Sequence, residues 1–120
     1  MRLKGRAKTD LRGLLRQVCL ARDRACLKCG RYDRLQTSHI YPKGRYRKME
    51  WDHLNCIILC CQCHMHWWHK HPIEAADWIR SVLPASRMEY LKMRSLVNDS
   101  TPTDYKLIEI EYNQLLRKYA

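Results

Sequence analysis

Two Cys-x-x-Cys pairs, Cys26/Cys29 and Cys60/Cys63, carry the clearest chemical signal in the chain. Two intervening residues let both sulfurs of a pair turn toward one centre, and two such pairs can surround an ion tetrahedrally. The chemistry implied is Zn²⁺ binding at a site saturated by four thiolates. With no open position for substrate, that zinc is expected to be structural, stapling a region too small to be held by its own core. Cys19, Cys56 and Cys61 lie outside the pairs and are expected as small buried apolar side chains. An odd total of seven cysteines does not suit a closed disulfide framework.

Between and just beyond the pairs stand Ser38-His39-Ile40, Asn55 and His64, the last directly after Cys63. A neutral imidazole takes a proton from water near pH 7. The ordered set of Cys-x-x-Cys, His-Ile, Asn and Leu-Cys-x-x-Cys-His resembles the HNH endonucleases, over residues 26–72. The run Cys63-His64-Met65-His66-Trp67-Trp68-His69-Lys70-His71-Pro72 is similar to that of small phage-type members. The resemblance implies an α+β fold: a small ββα-metal finger with a four-cysteine zinc site, flanked by an N-terminal helix and C-terminal helices. It implies hydrolysis of DNA phosphodiester bonds, with His39 as the base at the end of the first strand. Asn55 is then the residue that pins the loop between the strands and fixes the His39 ring. His64, at the start of the helix, is then the ligand of a catalytic divalent ion that acts as Lewis acid. Mg²⁺ or Mn²⁺ is expected there first, with Ni²⁺ or Zn²⁺ as alternatives.

The chain departs from the family at two ligand positions. Ser38 stands where an Asp or His usually precedes the base, and a serine is a poor ligand for Mg²⁺ or Mn²⁺, so it is expected to act through water. Trp68, one turn after His64, cannot ligate. His69 is the candidate replacement, although five residues on an ideal α-helix rotate it about 140° from His64. His66 is worse placed at about 200°. His53 and His71 are expected at the surface.

These side chains need elements to position them. The chain is read as a single domain, 1–120. Residues 1–9 form a basic arm. Thr9 or Asp10 caps a helix over 10–25, with Leu11, Leu14, Leu15, Val18 and Ala21 on one face. Residues 26–72 form the knuckles and the finger. Its parts are a turn in which Gly30 takes positive φ, a strand over 35–41, a second over 54–59 and a helix over 62–70. Residues 73–120 form a helical extension: a helix opening at Pro72 and stopped by Pro84, another over 86–97 and a last one over 103–118. Trp67, Trp68 and Trp78 are expected to serve the core rather than to stack on bases.

The 120 residues carry 23 Lys plus Arg against 12 Asp plus Glu, a net charge of +11. Residues 1–70 hold the whole excess, and residues 71–120 balance at zero. Such a one-sided field attracts polyanions. The expected partner is DNA, held by Lys43, Arg45, Tyr46, Arg47 and Lys48 in the loop after the base and by Arg2, Lys4, Arg6 and Lys8 in the arm. A second copy, or a phage packaging or recombination protein, is a further candidate partner. No apolar run is long enough to span a membrane, and no apolar segment follows the basic N-terminus as in a secretory signal. The expected location is the cytoplasm, that of a bacterial host if the chain is phage-encoded. The competing readings are a zinc-finger DNA-binding or recombination-accessory module without activity, and an RNA-binding zinc module.

Overall fold

In the computed structural model, residues 5–120 are described. Helix α1 (Gly5–Asp23) leads into a loop, then strand β1 (Leu35–His39), two short 3₁₀ turns (Arg47–Met49 and His53–Asn55) and strand β2 (Cys56–Cys60). Helix α2 starts as Cys61–Cys63 and widens into a π-helical turn, His64–Trp68. Helices α3 (Pro72–Val82), α4 (Ala85–Ser95) and α5 (Tyr105–Tyr119) complete the chain. The result is a small α+β fold. Among the described residues no helix is long and apolar enough to cross a membrane.

The two strands pair antiparallel, with Ser38 opposite Ile57 and His39 opposite Cys56. Directly opposed residues share a face, and neighbours alternate between faces. One face thus carries Thr37, His39, Cys56 and Ile58. It packs on Leu11, Leu15, Val18 and Cys19 of α1 and on Tyr112 of α5. The other face carries Ser38, Ile57 and Leu59 and meets Cys26, Cys60 and Ile79 of α3. Because both faces are covered, all five residues of β2 are buried. That explains why its sequence, Cys-Ile-Ile-Leu-Cys, is apolar throughout instead of alternating.

Several boundaries differ from the sequence expectation. The stretch expected as a basic arm enters α1 by Gly5, so Arg6 and Lys8 belong to a helix, and Thr9 and Asp10 lie inside it instead of capping it. Arg, Ala and Lys are good helix formers, and a capping residue permits a helix start without requiring one. Arg2 and Lys4 lie outside the described residues. The strands run 35–39 and 56–60 in place of 35–41 and 54–59, because Asp52 caps the turn His53–Asn55 by accepting from Leu54 N–H at 3.0 Å. Gly30 takes φ +80° as expected, closing the first knuckle by donating its N–H to Cys26 O at 2.9 Å. Pro72 opens α3, and Pro84 separates α3 from α4.

Candidate metal and catalytic site

The four paired cysteines meet. Their sulfurs all lie within 4.8 Å of one another, and they could hold a metal ion such as zinc. Cys29 Sγ and Cys60 Sγ are 3.6 Å apart. Zn–S bonds of about 2.3 Å in a tetrahedron put sulfurs about 3.8 Å apart, so the cluster needs only a small adjustment to take the ion. Each knuckle is preformed by its backbone: Cys29 N–H donates to Cys26 Sγ at 3.5 Å, and Cys63 N–H donates to Cys60 Sγ at 3.4 Å. Burial raises the Cys26 thiol, but the N–H donors around it outweigh burial and bring it down to about 7. The second knuckle is also the end of β2 and the start of α2, so the cluster ties the loop after α1 to both. Cys19 and Cys56 are fully buried as expected, while Cys61 is only half-buried.

A cleft of about 1320 Å³ opens at His64, the residue that follows Cys63. Arg12 and Arg16 of α1 line one wall and α3 with α4 the other, while Thr37, His39, His64 and His69 lie between. His39 Nε2 is 2.9 Å from the backbone oxygen of Glu50. A carbonyl only accepts, so Nε2 carries the hydrogen and Nδ1 keeps its lone pair. Burial lowers the His39 pKa, the Glu50 carbonyl raises it, and the charge of Lys43 lowers it again, for a net decrease. The ring is therefore neutral at pH 7, with one basic nitrogen.

Asn55 holds the frame for that contact without touching the ring. It is fully buried. Its Oδ1 accepts from Tyr41 N–H at 2.8 Å, and its Nδ2 donates to Tyr41 O at 3.0 Å and to Met49 O at 3.1 Å. Asn55 thus bridges the end of β1 to the residue preceding Glu50, whose carbonyl fixes His39. Asn55→Ala is expected to lower stability by about 2–3 kcal/mol, since it strands buried backbone groups. Urea denaturation checks this, and a change below about 0.5 kcal/mol, within the range of an ordinary surface substitution, contradicts it.

The π turn changes the expected geometry around His64. His69 N–H donates to His64 O at 3.2 Å, an i to i+5 bond. The widened turn brings the two rings together, with centroids 4.5 Å apart and Nε2 to Nε2 at 2.9 Å. The 140° separation expected of an ideal α-helix does not occur. π turns of this kind are frequent at functional sites. His64 Nδ1 donates to Gln36 Oε1 at 2.7 Å, which leaves its Nε2 without a hydrogen. Burial, then the nearby His69 and His39, lowers the His64 pKa to about 4. Two cis ligands at about 2.1 Å from one ion stand about 3.0 Å apart, so the pair fits that role.

Other expectations are met less closely. Ser38 is fully buried beside Ile57, its Oγ has no hydrogen-bond partner, and it does not line the cleft. Of the basic loop, Lys43 lines the cleft. Tyr46 is engaged by the Tyr41 ring at 5.2 Å and by the Arg45 guanidinium at 5.5 Å. Arg47 is exposed, and Lys48 accepts at its backbone oxygen from Arg94 at 2.6 Å. His53, expected at the surface, leaves only 14% of its side chain accessible, because the turn that carries it is tucked against α1 and α4. His66 and His71 are exposed. Trp68 and Trp78 pack against the core cluster of α3, and Trp67 lies under the Lys28 ammonium at 4.8 Å. Motif spacing missed Gln36, which sets the His64 tautomer, and also Arg12 and Arg16 on the cleft wall. Their spacing on the polar side of α1 was the available signal for the two arginines.

Comparison with protein-family models, with curated proteins and with solved structures returns no match.

Proposed function

We propose that the chain is a metal-dependent endonuclease of the HNH type, hydrolysing DNA phosphodiester bonds with its fold held by zinc at Cys26, Cys29, Cys60 and Cys63. The carrying observation is the cleft in which His39 presents an unprotonated Nδ1 while His64 and His69 bring their Nε2 atoms to 2.9 Å. His39 takes the proton of the attacking water at Nδ1. Its ring is held in the required tautomer by Glu50 O, itself held in place through Asn55. Gln36 fixes His64 so that its Nε2 faces the cleft. His64 and His69 would hold a divalent ion, which would supply charge stabilisation at the phosphate and the leaving oxygen. Two imidazoles with no carboxylate beside them suit Ni²⁺ better than Mg²⁺ or Mn²⁺, which moves an ion expected from the sequence only as an alternative to first place. Arg16 and Lys43 give the cleft the positive charge that a phosphate backbone needs, with Arg12 beside them paired to Glu50 at 3.2 Å.

A plasmid nicking assay with Mg²⁺, Mn²⁺ or Ni²⁺ added tests this reading. Conversion of supercoiled to open-circular DNA is expected in Ni²⁺ above all, and no cutting with any of the three ions overturns it. The pH profile is a second readout. Because burial depresses the His39 pKa, activity is expected to persist below pH 6.5 and to fall only as the pH drops through that lowered value. An acid limb centred at 6.5 or above contradicts the assignment of His39 as the buried base.

A further inference from the structure

The cleft is larger than the histidine cluster needs, and its two ends differ in chemistry. Toward α1 it carries Arg12, Arg16 and Lys43. Toward α3 and α4 its lining is Trp68, Ala75, Ala76, Ile79 and Met88, an apolar slot adjoining His69. Ala75 and Ile79 form its buried floor, and Trp68 and Met88 pack on the core beneath it. Arg80, Glu89 and Lys92 stand on the same side of the cleft. Apolar side chains do not solvate a phosphate, so the backbone itself does not suit the slot, while Arg80 and Lys92 beside it can hold a flanking phosphate. A flat, apolar group with amino hydrogens at its edge suits the slot. Trp68 offers an aromatic surface for such a group, and a carboxylate accepts from an exocyclic amine.

We infer that the slot takes one unpaired nucleobase of the substrate strand next to the bond to be cut, so that the favoured substrate is DNA with a single-stranded or bulged nucleotide rather than continuous duplex. This rests on the nuclease reading above and names its substrate class. The base of a duplex nucleotide is stacked on both sides and paired at its edge, and reaching the slot costs its unstacking; an unpaired nucleotide has largely met that cost already. Cations flank the slot on both sides, Arg12, Arg16 and Lys43 on one and Arg80 and Lys92 on the other, so the phosphates on either side of the inserted nucleotide have partners.

Fluorescence polarisation with labelled oligonucleotides of equal length tests the inference without added divalent ion, so that binding is read apart from cleavage. A duplex with a one-nucleotide bulge is expected to bind about tenfold more tightly than the same duplex without it. Ala76→Trp, which fills the slot, is expected to remove that advantage while leaving binding of continuous duplex unchanged. Zinc stoichiometry and the thermal midpoint establish that the variant is folded, and Ala76→Met carries the same test should the tryptophan not be accommodated. Equal affinity of the wild-type protein for bulged and continuous duplex overturns the inference, as does a bulge preference that survives in the filled-slot variant. A bulge preference without cutting in any metal leaves the slot assignment standing and sinks the nuclease. Cutting without a bulge preference does the reverse.

Discussion

Removing the metal from the four-cysteine cluster, or replacing Cys60 by serine, is expected to abolish the cooperative fold. The cluster around Ile79 consists of five buried residues, and two of them, Cys26 and Cys60, belong to the four-cysteine cluster. Residues 24–34, which carry the first knuckle, contain no helix or strand of their own, so besides these sulfurs they are held by a few backbone bonds, the packing of Leu27 on the core and Lys28 over Trp67 and Trp78. A structural zinc site contributes on the order of 10–16 kcal/mol, comparable to or larger than the whole stability of an ordinary domain, about 5–15 kcal/mol. The loss does not stay local. β2 is the shared wall of both core clusters, with Cys56 and Ile58 facing α1 and α5 and Ile57 and Leu59 facing α3. The measurements are metal analysis, expected to give one zinc per chain, and thermal unfolding followed by circular dichroism with and without a strong chelator. Cys61→Ser is the control, since Cys61 adjoins the cluster without belonging to it, and it is expected to keep both zinc and fold. An unchanged melting transition in the chelator contradicts the structural role.

What the sequence revealed of this site was what short-range backbone geometry dictates. A Cys-x-x-Cys knuckle is local: its second N–H meets its first sulfur because of how three residues fold back, so spacing alone identified all four cysteines. Pro72 and Pro84 marked helix limits for an equally local reason. The pinning role of Asn55 comes from the family resemblance and not from local geometry; its side chain bonds to Tyr41 and Met49. The parts that escaped depend on tertiary placement or on the main chain itself. His39 is oriented by the carbonyl of Glu50, a group every residue possesses, so no residue type announces it. His69 meets His64 only because the helix widens into a π turn, and the sequence His-Met-His-Trp-Trp does not display that extra residue per turn. Ser38 faces the core because of the strand register, which its neighbours' alternation was too weak to fix. The N-terminal turns of α1 resemble an arm in sequence because their basic residues suit an exposed, unstructured segment equally well. A helix can be charged along one side and still pack its other side on a partner, as α1 does on α5.

His39→Ala is expected to reduce the cleavage rate by about 10²–10⁴-fold, the range of a positioned general base, with zinc content and fold unchanged. The second half of that expectation follows from where the ring sits. It lines the cleft, and its hydrogen bond in the structure goes to a backbone oxygen that can turn to water once the ring is gone. Asn55→Ala differs in kind: it removes bonds that hold the loop, so stability and rate fall together. The two variants thus separate a group that acts on water from one that acts through the position of another. The acid limb of the pH profile sharpens the separation. Without His39 the rate that remains should lose its dependence on pH below 6.5. In Asn55→Ala that limb should persist but move toward the ordinary imidazole value, as a loosened loop lets water reach the ring and the burial that lowers its pKa is relieved. Free imidazole added to His39→Ala should restore part of the rate, since the deletion leaves a ring-sized opening on the cleft wall. A variant that cuts at the wild-type rate, or one whose acid limb is unaltered, removes His39 from the chemistry.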